Sequence, residues 1–161
     1  MKTRQLQIRV SEAEKKQIKA AAKKAGMSLS EYVLKLVLSQ KQLQFAKLVK
    51  DIGLANDSSF AFAAMSDFIS NLNASEFEEA LGSLPQTIIS LEDQNYLAAM
   101  IEYSAALKGI PAPDWTMEIL PLSKPFFGSE IKKIKKDLLL SSPVAFRKRN
   151  IFVDSSVGDR V

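Results

Sequence analysis

The stretch RQLQIRV at residues 4–10 is followed at once by SEAE and then, after one glycine, by SLSE. In the first, Leu6, Ile8 and Val10 alternate with Gln5, Gln7 and Arg9, the two-residue period of a β-strand with one apolar and one polar face. Ser11 with Glu14, and Ser28 with Glu31, are serine–glutamate pairs three apart, which start helices. Ile18, Ala21, Ala22 and Ala25 recur at helical spacing after the first. Gly26 supplies a left-handed stop. Leu29, Tyr32, Val33, Leu36 and Val37 recur after the second. The order is strand, helix, turn, helix in about forty residues, and that order is the tightest constraint in the chain. A lone strand leaves its backbone N–H and C=O groups without partners. A unit this short, with an alanine-rich first helix, cannot bury enough apolar surface by itself. Two copies resolve both problems, with strands pairing antiparallel across a two-fold axis and four helices closing a shared core. That predicts a homodimer whose core holds Leu6, Ile8, Val10, Ile18, Tyr32, Val33 and Leu36.

Charge marks the same segment. Residues 1–50 carry 12 Lys+Arg against 3 Asp+Glu, residues 51–122 carry 1 against 11, and residues 123–161 carry 9 against 4. Such segregation implies either two differently charged partners or an acidic middle that folds onto a basic tail.

The conjunction of a polar–apolar strand, a capped helix, a glycine turn and a second capped helix opening on Ser-Leu-Ser resembles the ribbon–helix–helix family of DNA-binding proteins, that of the Arc and MetJ repressors. The resemblance covers about residues 4–45. It implies that Gln5, Gln7 and Arg9 enter the major groove of double-stranded operator DNA from a two-stranded ribbon. The chemistry fits: glutamine can bond adenine through N6 and N7, and arginine can bond guanine through O6 and N7. It also implies that the backbone around Ser28, Leu29 and Ser30, at the start of the second helix, clamps a phosphate. Lys2, Arg4, Lys23 and Lys24 are then neighbouring phosphate contacts, which give affinity without sequence information. Two glutamines at three reading positions leave the ribbon itself only modestly charged.

The rest of the chain reads as a small all-α region, so the expected fold is mainly α, with a ribbon–helix–helix module at 1–50 and a helical partner-binding domain at 54–161. Phe45, Leu48, Val49 and Ile52 continue the stripe of the second helix to Gly53, so that 29–52 reads as one long helix. Phe60, Phe62, Met65, Phe68, Ile69 and Leu72 surround the next one. Ser75 with Glu78 opens a short helix, and Ser90 with Asp93 a longer one with Leu97, Met100, Ile101 and Leu107 toward a core, ending at Gly109. A Pro-rich connection holds Trp115 and Phe126–Phe127. A lysine-rich helix over 129–140 and the phrase SPVAFRKRNIFV follow, with Pro143 at the head of a short turn. Phe60, Phe62, Phe68, Trp115, Phe126, Phe127, Arg147 and Arg149 are the candidate partner-binding residues of this region. The basic triplet 147–149 suits phosphate or the acidic middle.

The chain has no cysteine and no histidine. This removes disulfides, thiol nucleophiles, imidazole acid–base chemistry and zinc sites of the usual kind. No glycine-rich phosphate loop, metal-ligand spacing or catalytic set appears; Glu78–Glu79 and Glu92–Asp93 read as first-turn helix acids. Neither an enzyme nor a cofactor is expected. The absence of an apolar run of roughly 18 residues and of an apolar leader points away from a membrane and toward a cytoplasmic, nucleoid-associated protein.

Three functions are compatible with this layout. The first is an antitoxin-type regulator, a repressor that binds its operator and neutralises a cognate toxin through residues 54–161. The closing SPVAFRKRNIFV is similar to the end segment of small bacterial proteins encoded beside toxin-like partners. The second is a plasmid mobilisation or partition accessory protein, and the third a plain ribbon–helix–helix repressor.

Overall fold

A computed structural model describes residues 7–37, 40–129 and 131–154. The chain divides into two compact units, 1–40 and 41–161. The described residues are mainly helical, with one two-stranded sheet.

The first unit contains α1 (Glu12–Lys24) and α2 (Leu29–Val37). Between them Gly26 takes a positive φ of 67°. That conformation turns the chain so that the Met27 N–H closes back onto Ala22 O at 3.0 Å.

The second unit is built around α6 (Leu91–Lys108), whose Leu97, Ala98, Ala99, Ile101 and Ala105 are buried on several sides. Its start and stop follow from local chemistry. The Ser90 hydroxyl accepts from the Asp93 N–H at 3.0 Å, and left-handed Gly109 ends the helix. Leu107, expected in the core, is exposed. Two residues past Ala105, it falls about 200° round the helix from that buried position.

Helices α3 (Gln40–Leu54) and α4 (Ser59–Ser70) contribute Phe45, Val49, Ile52, Met65, Phe68 and Ile69 to the same core, and Leu72 follows them into it. The stripe expected from Phe45 to Ile52 is therefore real, and it packs within the second unit. Whether α2 and α3 are one continuous helix turns on residues 38–39, outside the described set. Gly53 does not end α3. A Cβ there would lie 2.8 Å from Ile88 O and 2.9 Å from Ile89 Cγ2, so the glycine permits close approach of the 87–89 segment.

Helix α5 (Ala74–Leu81) starts earlier than the Ser75–Glu78 pair suggests. Asn73 is its N-cap, accepting from the Glu76 N–H at 3.0 Å while Glu76 accepts from the Asn73 N–H at 3.1 Å. Glu78 and Glu79 consequently lie beyond the first turn. This frame buries Phe77, Ala80 and Leu81 together.

After α7 (Trp115–Glu118) the chain forms β1 (Phe126–Phe127), α8 (Lys132–Ser141), α9 (Val144–Arg147) and β2 (Ile151–Phe152). The strands pair in parallel, Phe126 with Ile151 and Phe127 with Phe152, and α8 and α9 provide the crossover that a parallel pair requires. On α8 Leu138 is buried and Ile134 remains exposed, as does Ile131 just before the helix. Ser142 ties the end of α8 to β2: its Oγ accepts from the Val153 N–H at 2.9 Å and sits 2.7 Å from Val153 O.

Within 147–149 the three cations have different fates. Arg147 and Lys148 are exposed, whereas Arg149 is only 4% exposed. Its guanidinium lies 2.6 Å from Glu102 Oε1 and 3.2 Å from Asn95 Oδ1, and it donates as well to the Thr116 and Ile119 carbonyls. Arg149 thus joins the tail to the acidic middle by a buried ion pair with Glu102. Among the described residues, Glu102 Oε2 and Arg149 Nε have no hydrogen-bond partner. Removing one member of a buried ion pair leaves the other charged and unsolvated. Arg149→Ala is expected to destabilise the second unit by about 3–5 kcal/mol, with Arg149→Met plus Glu102→Leu recovering most of the loss. Urea unfolding followed by the fluorescence of Trp115 measures both, and Lys148→Ala serves as the neutral control.

Candidate nucleic-acid interface

The junction between the N-terminal segment and α1 is set by Ser11. Its N–H and its hydroxyl donate to Glu14 Oε2 at 2.7 and 2.8 Å, and the Glu14 N–H returns to Ser11 Oγ at 3.3 Å. These bonds fix where the extended segment stops and the helix begins. Before it, Gln7 and Arg9 are exposed, and so are Ile8 at 60% and Val10 at 43%. Residues 7–10 form no ladder in the single chain. Lys2, Arg4, Gln5 and Leu6 lie outside the described residues.

Along α1, Lys15, Lys16, Lys19, Lys23 and Lys24 are exposed. The first acidic turn, Glu12 and Glu14, and the basic last turn, Lys23 and Lys24, both suit the helix dipole. The Ser28 N–H donates to Glu31 Oε2 at 2.9 Å, and the Glu31 N–H donates to Ser28 Oγ at 3.3 Å. Of the three amides expected to clamp a phosphate, the one of Ser28 is therefore engaged by a carboxylate. Those of Leu29 and Ser30 stand in the first turn, where a helix supplies no internal acceptor.

The apolar residues of this unit are poorly covered. Ala22 is buried, Ile18, Tyr32 and Val33 are half-buried, and Leu29, Leu36 and Val37 are exposed, Leu36 at 67% and Val37 at 72%. Together with Ile8 and Val10 they leave apolar side chains facing water before α1 and along α2.

In the second unit the candidate residues do not form one surface. Phe68, Trp115 and Arg149, expected at a partner surface, are buried. Phe68 is in the core, the Trp115 Nε1 donates to Leu81 O at 2.7 Å, and Arg149 is locked against Glu102. The aromatic periodicity and the basic run that suggested them are also what interior packing and a buried pair look like in sequence. Phe127 stacks on Phe152 with centroids 5.0 Å apart and Lys135 over its ring at 5.2 Å. Arg147 is exposed, and Phe60 is exposed at 87%. Phe62 and Phe126 do come together, lining a cavity of about 440 Å³ with Tyr96, Asp67 and Glu92. Asp67 and Tyr96 carry no signal in the sequence, where Tyr96 sits in an ordinary helical stripe and Asp67 in an aromatic run, and Glu92 reads there only as a first-turn helix acid. Burial pushes the Tyr96 hydroxyl above its ordinary pKa, so it stays protonated at neutral pH.

No group of three or more Asp or Glu residues that could hold a metal occurs among the described residues, and no helix among them is long and apolar enough to cross a membrane. The NikA-like family, described as mobilization protein NikA, matches residues 1–50. No curated protein and no solved structure matches the chain.

The Glu14 cap carries a pH dependence. The Ser11 backbone N–H, then its hydroxyl, hold the Glu14 carboxyl below its ordinary pKa. A depressed carboxyl stabilises the folded form above its unfolded pKa, and that contribution is lost as pH falls through the folded value. The Ser11 amide resonance is expected to follow Glu14 titration, with the first turn of α1 fraying below it. Glu14→Gln removes that dependence, and proton–nitrogen correlation spectra across the acid range read both.

Proposed function

We propose that the chain is a DNA-binding accessory protein of the mobilisation type, in which two copies of residues 4–10 pair as a ribbon–helix–helix dimer and read duplex DNA. The observation that carries this reading is the NikA-like match over 1–50. It falls on the stretch that holds 12 of the 22 cations and the strand–helix–helix order. That description favours the mobilisation alternative over toxin neutralisation, which has no comparable support.

The physics of the first unit supports the same reading. Ile8, Val10, Leu36 and Val37 are exposed in one chain, and burying such side chains gains roughly 1.5–3 kcal/mol each. A second copy offers that burial and also supplies the strand partner. Pairing leaves Gln5, Gln7 and Arg9 on the outward face, side by side with their symmetry mates. Arg9 presents a planar fork to guanine, the two glutamines present amides to adenine, and each good bidentate contact discriminates by about 1–3 kcal/mol. Lys2, Arg4, Lys23 and Lys24 neutralise phosphates, and the Leu29 and Ser30 amides at the start of α2 add a directed contact.

Selection of bound sequences from a random duplex pool, followed by titration of the enriched site, tests the proposal. Arg9→Ala should bind enriched and scrambled duplexes almost equally while remaining dimeric by sedimentation; a monomer instead places Arg9 in the core. Ile8→Asp should sediment as a monomer with the first unit unfolded and the second unit's cooperative transition retained. A folded dimer from that variant reverses the assignment of strand faces. For the wild type, the logarithm of the affinity should fall linearly with the logarithm of salt concentration, as counterion release requires.

A further inference from the structure

Helix α8 is covered at one end only. Leu138 near its end is buried, whereas Ile134 and Ile131, four and seven positions earlier on the same helical face, are exposed, Ile131 at 60%. The apolar stripe therefore continues past the core that it packs on. The same end is electrostatically unfavourable. Lys132, Lys133 and Lys135 stand in the first turn with no acid among them, and Ile131 at the N-cap contributes no side-chain bond. Cations at a helix start oppose the dipole, and Lys132 with Lys136, four apart, repel each other. This turn lacks an apolar cover and negative charge together.

A surface offering both lies elsewhere in the second unit. Ile88, Leu91, Met117 and Leu120 are exposed, Ile88 at 97% and Leu120 at 78%. The Asn95 side-chain amide donates to the Leu91 and Leu120 carbonyls at 2.9 and 3.0 Å, which brings the start of α6 beside the segment after α7. Glu92 and Glu118, also exposed, directly follow Leu91 and Met117. The single cation of residues 51–122, Lys108, is at the opposite end of α6, about 25 Å along the helix. In one chain both surfaces face water, so neither covers the other.

We infer that the N-terminal half of α8 docks on the Leu91–Leu120 surface of a second copy of this chain. Charge decides the pairing. Two α8 helices would oppose lysines, two Leu91–Leu120 surfaces would oppose glutamates, and only the unlike faces attract. Each copy has one face of each kind, so the contact is either reciprocal within a pair or passed on from copy to copy. Ile131 and Ile134 gain cover from Leu91 and Leu120, and Glu92 and Glu118 bring negative charge to the lysines of the first turn. A nucleic acid would supply the charge, but its phosphates offer the isoleucines no cover. With so few side chains on each face the contact is a transient one, formed at high protein concentration and low salt. Dilute chains associate through the first unit alone. This inference goes beyond the DNA reading and does not depend on it.

Sedimentation velocity of the full chain without DNA tests this. At low salt the weight-average sedimentation coefficient should rise with protein concentration beyond its dilute value, and high salt should abolish the rise. Lys132→Glu with Lys136→Glu, and separately Glu92→Lys with Glu118→Lys, should each weaken the association at least about tenfold. An equimolar mixture of these two variants should recover it, because each reversed face then meets its opposite on the other chain. All four side chains are exposed, so both variants should keep the cooperative thermal transition of the wild type. Ile134→Ser, which changes no charge, should weaken the association severalfold. A wild-type coefficient that does not change with concentration overturns the inference. So does association undiminished by either reversal or by Ile134→Ser. A mixture that fails to recover association overturns it too, and is the result expected if the lysines serve a nucleic acid or an anionic lipid surface. Duplex titration of dilute chains reports on the DNA reading separately.

Discussion

The buried contact between Arg149 and Glu102 is the constraint on which the second unit depends. Taking a guanidinium and a carboxylate out of water is expensive, and the interior compensates only if their bonds are well placed. Here the guanidinium reaches α6 through Glu102 and Asn95, α7 through the Thr116 carbonyl, and the segment after it through the Ile119 carbonyl. One side chain near the end of the fold thus satisfies groups on elements far apart in sequence. It also fixes the turn that leads into β2, where Asn150 takes a positive φ of 61° and its side chain bonds Leu122 O. An apolar side chain would fill the space without setting these directions.

The two units solve the problem of burial differently. The second has its own core, running from Phe45 to Val153. Among its described residues the first buries Ala22 and leaves the larger aliphatic side chains partly or wholly in water. Its helices are nevertheless well begun, with reciprocal serine–glutamate caps at both starts. Local order without burial is the signature of an element whose stability comes from tertiary contact. The proposed dimer supplies that contact, and the same pairing presents the polar face of the strand outward.

Features governed by neighbours a few residues away were legible in the sequence. The caps at Ser11, Ser28 and Ser90, the stop at Gly109 and the stripe Phe45–Val49–Ile52 follow from local hydrogen bonding and helical period. Two overlapping frames misled the reading at α5, since Asn73–Glu76 and Ser75–Glu78 both have the required spacing. Burial of Phe77, Ala80 and Leu81 fits the earlier frame. Long-range features were not legible. The β1–β2 pair is two residues per strand, too short to show alternation, and its partners are 25 positions apart. Arg149 sits in a run that looks solvated, and only the acceptors on α6 and α7 distinguish it from Arg147 and Lys148. The cavity was hidden for the same reason, because Asp67, Glu92 and Phe126 come from three separate elements.

The parallel strand pair has a consequence for the timing of assembly. Helices α3 to α7 can form as soon as they are synthesised, but the contacts that join them to the C-terminal turn span 47 positions for Arg149 to Glu102 and 54 for Arg149 to Asn95. Contacts of such separation are slow to close. During translation at roughly 5–20 residues per second, the apolar flank of α6 waits several seconds for Phe146 and Ile151 to emerge. The first unit meets no such delay, so the proposed pairing of two copies would precede completion of the second half of either chain.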